Sequence, residues 1–196
     1  MSMLRDIDTP VFKAEGIPKI DITKYTLKIT GLVEPELELN WDEIIKLPRS
    51  CLNSRLTSVS GWSVRADWEG IKWKDFLVKA APKPKATHAI FNSYGGTYTT
   101  AVSLSDLDAP RVMLVTGVAG EPLEIEYGGP LRMIIPNLYG YKSSKWLIQV
   151  EFTNHMEGGY WEDRGYSRFG IIEPGKTFDV NCKTYREIKG GEVLEF

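Results

Sequence analysis

Between residues 88 and 155 the chain is a succession of short apolar runs: HAIFNSYG, TYTTAVS, VMLVTGV, PLEIEY, LRMIIPN and KWLIQVEFTNH. Gly and Pro divide them, and each run carries the β-branched and aromatic residues that suit a pleated, half-buried surface. Gly95-Gly96 joins the first two as a hairpin. Strands this closely spaced leave no room for the long amphipathic helices of a bundle or for a regular alternation of strand and helix.

The first part of the chain adds more strands and the few helices. In YTLKITGLV, residues 25–33, Tyr25, Leu27 and Ile29 alternate with Thr26, Lys28 and Thr30, the period-2 pattern of a half-buried strand that Gly31 ends or bends. Asn40 is an N-cap for a short helix, with Asp42 and Glu43 in its first turn and Trp41, Ile44, Ile45 and Leu47 as its apolar stripe before Pro48. Residues 54–60 read as a strand turned by Gly61-Trp62. KWKDFLVKAA then places Trp73, Phe76, Leu77 and Ala80 at helical spacing before Pro82. Ser103 or Ser105 caps one further turn around Leu104 and Leu107. The expected class is α+β, mixed β-sheets with short inserted helices. Residues 1–20 form an N-terminal arm, 21–157 the domain, and 158–196 an extension that is rich in Gly, aromatics and Arg and folds over the same domain.

A formal net charge of −2, with basic and acidic residues mixed along the chain, gives no field to collect nucleic acid or anionic lipid. No run reaches the length of a membrane span, and Arg5, Asp6 and Asp8 interrupt any apolar leader core. The expected location is cytoplasmic, or exported if an N-terminal signal has been removed. Cys51 and Cys182 lie far apart outside any C-x-x-C spacing, and His88 and His155 lack an i, i+4 partner, so a metal site made by protein side chains alone is not expected.

Three segments have residues suited to chemistry. PNLYGYKSSKW, residues 136–146, gathers Lys142, Ser143, Ser144 and Lys145 beside Tyr139, Gly140 and Tyr141. Ammonium groups, hydroxyls and free N–H groups suit a phosphate, although composition alone favours a solvated turn with its lysines outward. GGTYTT, residues 95–100, lacks the phosphate-loop pattern, and no G-x-G-x-x-G follows a strand. In the extension, Trp161, Glu162, Arg164, Tyr166 and Arg168 line a polar pocket or form a salt-bridged flap. A serine hydrolase is a remote alternative: Ser58 lies in S-V-S-G-W rather than a G-x-S-x-G elbow, and only two histidines are available as base.

SVSGWS at 58–63 with WEG at 68–70, GEPLEIEYGGPLRMIIP at 120–136 and YGYKSSKWLIQVEF at 139–152 together resemble the sulfite oxidase family of molybdopterin-binding domains. That family includes the catalytic subunits of bacterial protein-methionine-sulfoxide reductases. The resemblance runs from Tyr25 to about Phe152, and GYWEDRGYSR, residues 159–168, is similar to a segment that follows the domain in bacterial members. It implies a sulfite oxidase-like fold holding molybdopterin with molybdenum, a small-molecule substrate, and a separate electron-transfer partner. By resemblance Lys142, Ser143 and Lys145 contact the pterin and its phosphate, Tyr139, Gly140 and Tyr141 shape the same wall, and Tyr127 stands where vertebrate sulfite oxidases show a histidine. The candidate catalytic residues lining the pocket are Tyr94, Tyr98 and Arg164, whereas Arg132 is expected to be structural.

One position departs from the family pattern. The residue aligned with the cysteine that ligates molybdenum is Ser58. A thiolate is soft and forms from a group of pKa about 8.5, whereas a serine hydroxyl must lose a far less acidic proton to bind as an alkoxide. Three readings follow: Ser58 ligates the metal, it marks a lost ligand in a non-catalytic member that keeps the fold and pterin pocket, or it replaces cysteine by design.

Overall fold

The computed structural model describes residues 3–12, 16–179 and 183–188. A single helical turn, α1 (Met3–Asp6), starts the arm. The alternation around Tyr25 becomes β1 (Thr26–Gly31), whose Leu27 and Ile29 are fully buried. Gly31 ends it with φ +79, where an added Cβ would stand 2.4 Å from the Phe152 carbonyl oxygen. Only glycine tolerates both the left-handed backbone and that close approach.

β2 (Leu37–Asn40) leads into α2 (Trp41–Ile45), where Asn40 and Glu43 form a reciprocal capping box. β3 (Ser50–Thr57) and β4 (Ser63–Lys72) form a hairpin around the Ser58–Trp62 turn, so β3 begins and ends earlier than the sequence pattern predicts. α3 (Trp73–Ala80) buries Trp73, Phe76 and Ala80. β5 (His88–Ser93) and β6 (Thr99–Ser103) make the expected hairpin, and Ser103 caps α4 (Leu104–Leu107). The fully buried β7 (Met113–Val118) follows.

PLEIEY departs from the expected strand. Only Glu121–Pro122 pairs with β7, as β8, and residues Ile125–Tyr127 wind into a 3-10 turn. The turn frees carbonyl groups that a strand would use in its ladder: Ile125 O accepts from Trp146 Nε1 at 2.6 Å, Glu126 O from Lys145 Nζ at 2.9 Å, and Tyr127 O from Arg132 at 2.6 Å. β9 (Arg132–Ile134), β10 (Leu147–Thr153) and a hairpin of β11 (Gly175–Asp179) and β12 (Thr184–Ile188) complete the order.

The first sheet runs β2-β1-β10-β5-β6, with β1 and β10 parallel and the other pairs antiparallel; the second runs β3-β4-β7-β8, with β9 also paired to β7. Trp73 and Phe76 of α3 fill the larger core with Leu27, Ile29, Phe91 and Phe152. Trp68, Met113, Val115 and Ile134 form a second core that also takes Leu4 of α1. This is the mixed, multi-sheet α+β architecture expected from the strand spacing. Among the described residues no helix is long and apolar enough to cross a membrane.

Candidate functional site

A cavity opens where ends of the two sheets meet. It is a partly open cleft whose empty space, open solvent included, comes to about 1000 Å³. One wall is the β3–β4 turn with Leu56, Ser58, Val59, Ser60 and Trp62; another is the 140–146 loop with Gly140, Tyr141, Ser143, Lys145 and Trp146. Ser93, Tyr98, Tyr127 and Arg132 complete the interior, Trp161 and Tyr166 enter from the extension, and Thr9, Pro10 and Phe12 from the arm. The two stretches singled out in the sequence therefore share one cavity.

Ser58 begins the turn: its N–H donates to Trp62 O at 2.8 Å, and its carbonyl accepts from Gly61 N at 3.0 Å. The Ser58 and Ser60 hydroxyls are 2.8 Å apart, and Ser58 Oγ also accepts from Ser60 N at 3.2 Å. Neither histidine reaches this hydroxyl. His88 bonds to Thr87, while His155 bonds to Thr153, Asn154 and Glu157, and neither residue lines the cavity. A Ser58 hydrolase thereby loses its base. Cys51 is exposed and does not line the cavity, and Cys182 lies outside the described residues.

The lysine loop divides by position. A 3-10 turn at Gly140–Lys142 sends Lys142 into the protein, where Nζ lies 2.5 Å from Glu162 Oε1 and 2.9 Å from Ala101 O. Burial pulls this ammonium below its ordinary pKa, with Glu162 acting in the opposite sense. Lys142 does not line the cavity, and neither does Tyr139, which is buried and stacked on Tyr141. Ser143 and Lys145 do line it. Ser143 Oγ accepts from Ile135 N at 3.0 Å, and Lys145 Nζ donates to the carbonyls of Phe12 and Glu126, each at 2.9 Å. Ser144 is held by Ser93, with hydroxyls 2.9 Å apart.

Among the proposed catalytic residues, Tyr98 lines the cavity with its hydroxyl donating to Tyr141 O. Tyr94 is largely exposed on the hairpin turn, and Arg164 lies 3.8 Å over the Tyr160 ring while donating to Tyr160 O; neither reaches the cavity lining. Tyr127 lines the cavity and its hydroxyl donates to Thr9 O at 3.4 Å.

Arg132 is the buried cation of the interior. It donates to three carbonyls, Tyr127 O at 2.6 Å, Met133 O at 3.2 Å and Ser143 O at 3.3 Å, so the structural role expected from sequence is joined by a place in the lining. Burial lowers its pKa to about 10. Lys145 is lowered to about 7 by burial first and Arg132 second, against Glu126. Neither makes a salt bridge among the described residues; their direct hydrogen-bond partners are backbone carbonyls.

Among the described residues, two buried polar atoms in this lining have no hydrogen-bond partner, Trp62 Nε1 and Thr9 Oγ1. Buried donors without partners are costly, and a polar ligand relieves that cost. The donor set fits an anionic, hydrogen-bonding group such as a phosphorylated pterin. Among the described residues no cluster of His, Cys, Asp and Glu is arranged to hold a metal. The sequence reading missed Trp62, Ser93, Trp146 and the arm residues as lining; the arm has no periodicity or motif to mark it.

Comparison with known proteins agrees with this geometry. Residues 14–161 match the oxidoreductase molybdopterin binding domain family. The chain is similar to the Bacillus subtilis oxidoreductase YuiH, 36% identical over 164 residues that cover 82% of each protein. It is 28% identical over 168 residues to the protein-methionine-sulfoxide reductase catalytic subunit MsrP of Xanthomonas axonopodis, covering 78% of this chain and 52% of that one. With the Arabidopsis thaliana sulfite oxidase the identity is 28% over 189 residues, covering 78% of this chain and 48% of that protein. The chain thus spans about half the length of these last two relatives. The fold is similar to that of the sulfane dehydrogenase SoxCD from Paracoccus pantotrophus, with a TM-score of 0.70 at 17% identity over 90% of this chain and 47% of the other. With both motif-bearing walls on one cavity and the family match across most of its length, the chain is a molybdopterin-binding oxidoreductase domain of the sulfite oxidase family.

Proposed function

We propose that the cavity holds molybdopterin with its molybdenum and that the chain uses it to move an oxygen atom or two electrons to or from a small molecule. The observation that carries this reading is the cavity shared by the Ser58 turn and the Ser143–Lys145 stretch, with Arg132 behind them. Lys145 and Ser143 would hold the phosphate, and Trp62 Nε1 would find its missing partner on the same ligand. Ser58, aligned with the family's cysteine, would stand toward the metal. The bound cofactor would supply the redox chemistry, and the protein binding, orientation and electrostatics.

The chain's own groups have distinct tasks in this reading. Arg132 fixes the carbonyls of Tyr127 and Ser143, so both lining residues keep their positions without a carboxylate in the interior. Tyr166 stacks on Tyr141, Trp161 packs against Tyr166 at a tilt, and the three keep water from one side of the cavity. Tyr98 is pinned through its hydroxyl to Tyr141 O and presents a held ring to a substrate. Completing a two-electron reaction requires a separate electron-transfer partner, which we assign to another protein.

A second reading, a non-catalytic family member that keeps the pocket, is favoured by the Ser58 hydroxyl being engaged with Ser60. Metal binding would have to break that pair and depress the hydroxyl's pKa. Purification from a host that makes the cofactor, followed by metal and pterin analysis and redox titration, separates the readings. One redox-active molybdenum per chain supports the leading proposal. A bound pterin that is redox-silent until Ser58→Cys supports the second, and no molybdenum or pterin at all rejects both.

A further inference from the structure

We propose that residues Thr9–Phe12 form a strap across the mouth of the cavity, which opens to admit the occupant and closes to retain it. The start of the arm is fixed. Leu4 is 1% exposed in the second core, Arg5 lies 2.7 Å from Glu126 Oε1, and Thr9 N donates to Leu4 O at 2.9 Å. Beyond Thr9 the hold changes character. Among the described residues, positions 10–12 make no backbone–backbone hydrogen bond. What holds this segment is side chains of both cavity walls.

The Phe12 ring stacks on Trp62 of the Ser58 turn, with centroids 6.0 Å apart and planes inclined by 21°. From the other wall Lys145 Nζ donates to Phe12 O at 2.9 Å, and Tyr127 OH donates to Thr9 O at 3.4 Å. Thr9, Pro10 and Phe12 themselves line the cavity. The segment therefore bridges the two walls across the opening. It does so through one stack and two hydrogen bonds, with Phe12 48% and Val11 39% exposed. A segment with few buried contacts and no ladder hydrogen bonds belongs to the low-stability end of local opening, and its anchored start supplies the pivot.

The strap has two consequences. Closed, it shields the mouth from water and keeps the Lys145 ammonium at the rim. Open, it clears a path past Trp62 to Ser58. The identity of the occupant rests on the molybdopterin reading above, whereas the strap itself rests only on these contacts.

The test separates the two. In a chain with Cys51→Ser and Cys182→Ser, Ser58→Cys places a single reporter thiol inside the cavity, and its rate of modification by a bulky neutral maleimide is measured with and without Phe12→Ala. Loss of the stack should raise that rate about tenfold while circular dichroism stays unchanged and thermal unfolding remains one cooperative transition, lowered by roughly a few degrees. Protein purified with molybdopterin should lose it faster on dialysis when Phe12→Ala is present in the natural Ser58 background. Equal modification rates overturn the strap, whether or not a cofactor binds. If no pterin or molybdenum is found but the rates differ, the strap stands and the occupant assignment fails.

Discussion

Lys142 Nζ lies 2.5 Å from Glu162 Oε1, with both side chains 1% exposed, and this buried pair joins the cavity loop to the C-terminal extension. Thr100 Oγ1 donates to the same carboxylate oxygen at 2.5 Å. Glu162 directly follows Trp161 of the cavity lining, so the pair clamps the aromatic side of the cavity onto the first sheet. Breaking it from one end strands a charge. Glu162→Leu or Lys142→Met alone is expected to destabilise the fold by about 3–5 kcal/mol, while the two together, which remove both charges, cost less than either single change. Urea unfolding of the three variants checks the order.

Arg132 stands where desolvation is complete and its partners are all backbone carbonyls, of Tyr127, Met133 and Ser143. Arg132→Met leaves those acceptors unpaired, at about 1–3 kcal/mol for each group that water cannot reach. Arg132→Lys should recover less than half of the loss, because a single ammonium cannot reproduce a planar fork serving three oxygens. The check is chemical denaturation of both variants, with molybdopterin content measured alongside. A full rescue by lysine would mean that charge alone matters there.

Much of the fold was legible because burial imposes periodicity. Leu27 and Ile29 alternate in β1, Trp73, Phe76 and Ala80 mark one side of α3, and Asn40 with Glu43 spells a capping box. PLEIEY misled because Leu123, Ile125 and Tyr127 alternate equally well along a strand or into a tight turn, and the choice was made by distant donors, Trp146, Lys145 and Arg132. Periodicity said nothing of the site; the resemblance carried by SVSGWS and YGYKSSKW singled out Ser58, Ser143 and Lys145, and the structure places all three in the lining of one cavity. What the loop's composition could not say is which lysine faces inward, since the 3-10 turn at Gly140–Lys142 decides it and Glu162 lies 20 residues away. Composition does not separate Tyr94, exposed on the hairpin turn, from Tyr98, which lines the cavity, and the arm's place follows from tertiary contacts to Trp62 and Lys145.

Gly70, in the W-E-G stretch, sits where the β4–β7 register shifts between Glu69 and Gly70. A Cβ there would stand 1.9 Å from the Leu114 carbonyl oxygen, a backbone atom that cannot swing away. Gly70→Ala must therefore push β4 from β7, and it is expected to cost more than about 3 kcal/mol, above the ordinary range for an overpacked site. Expression yield and thermal unfolding measure it. An alanine variant as stable as the parent would mean the two strands are not held at this spacing.

Lys145 gives the cavity a pH dependence whose sign is fixed. Burial and Arg132 lower its pKa from 10.5 to about 7, so between those values the unfolded chain holds a proton that the folded chain has released. Stability should therefore rise with pH across that window, and the contribution is least favourable below about 7, where the ammonium is charged in both states. Lys145→Met should flatten this part of the profile and stabilise the empty protein at pH 6. An anion in the cavity reverses the preference, because it binds the charged form. Inorganic pyrophosphate should therefore protect the parent against thermal unfolding more strongly at pH 6 than at pH 8.5, and the Lys145→Met variant equally little at both. Differential scanning fluorimetry across that range makes the comparison, and protection that grows with pH in the parent would place the anion elsewhere.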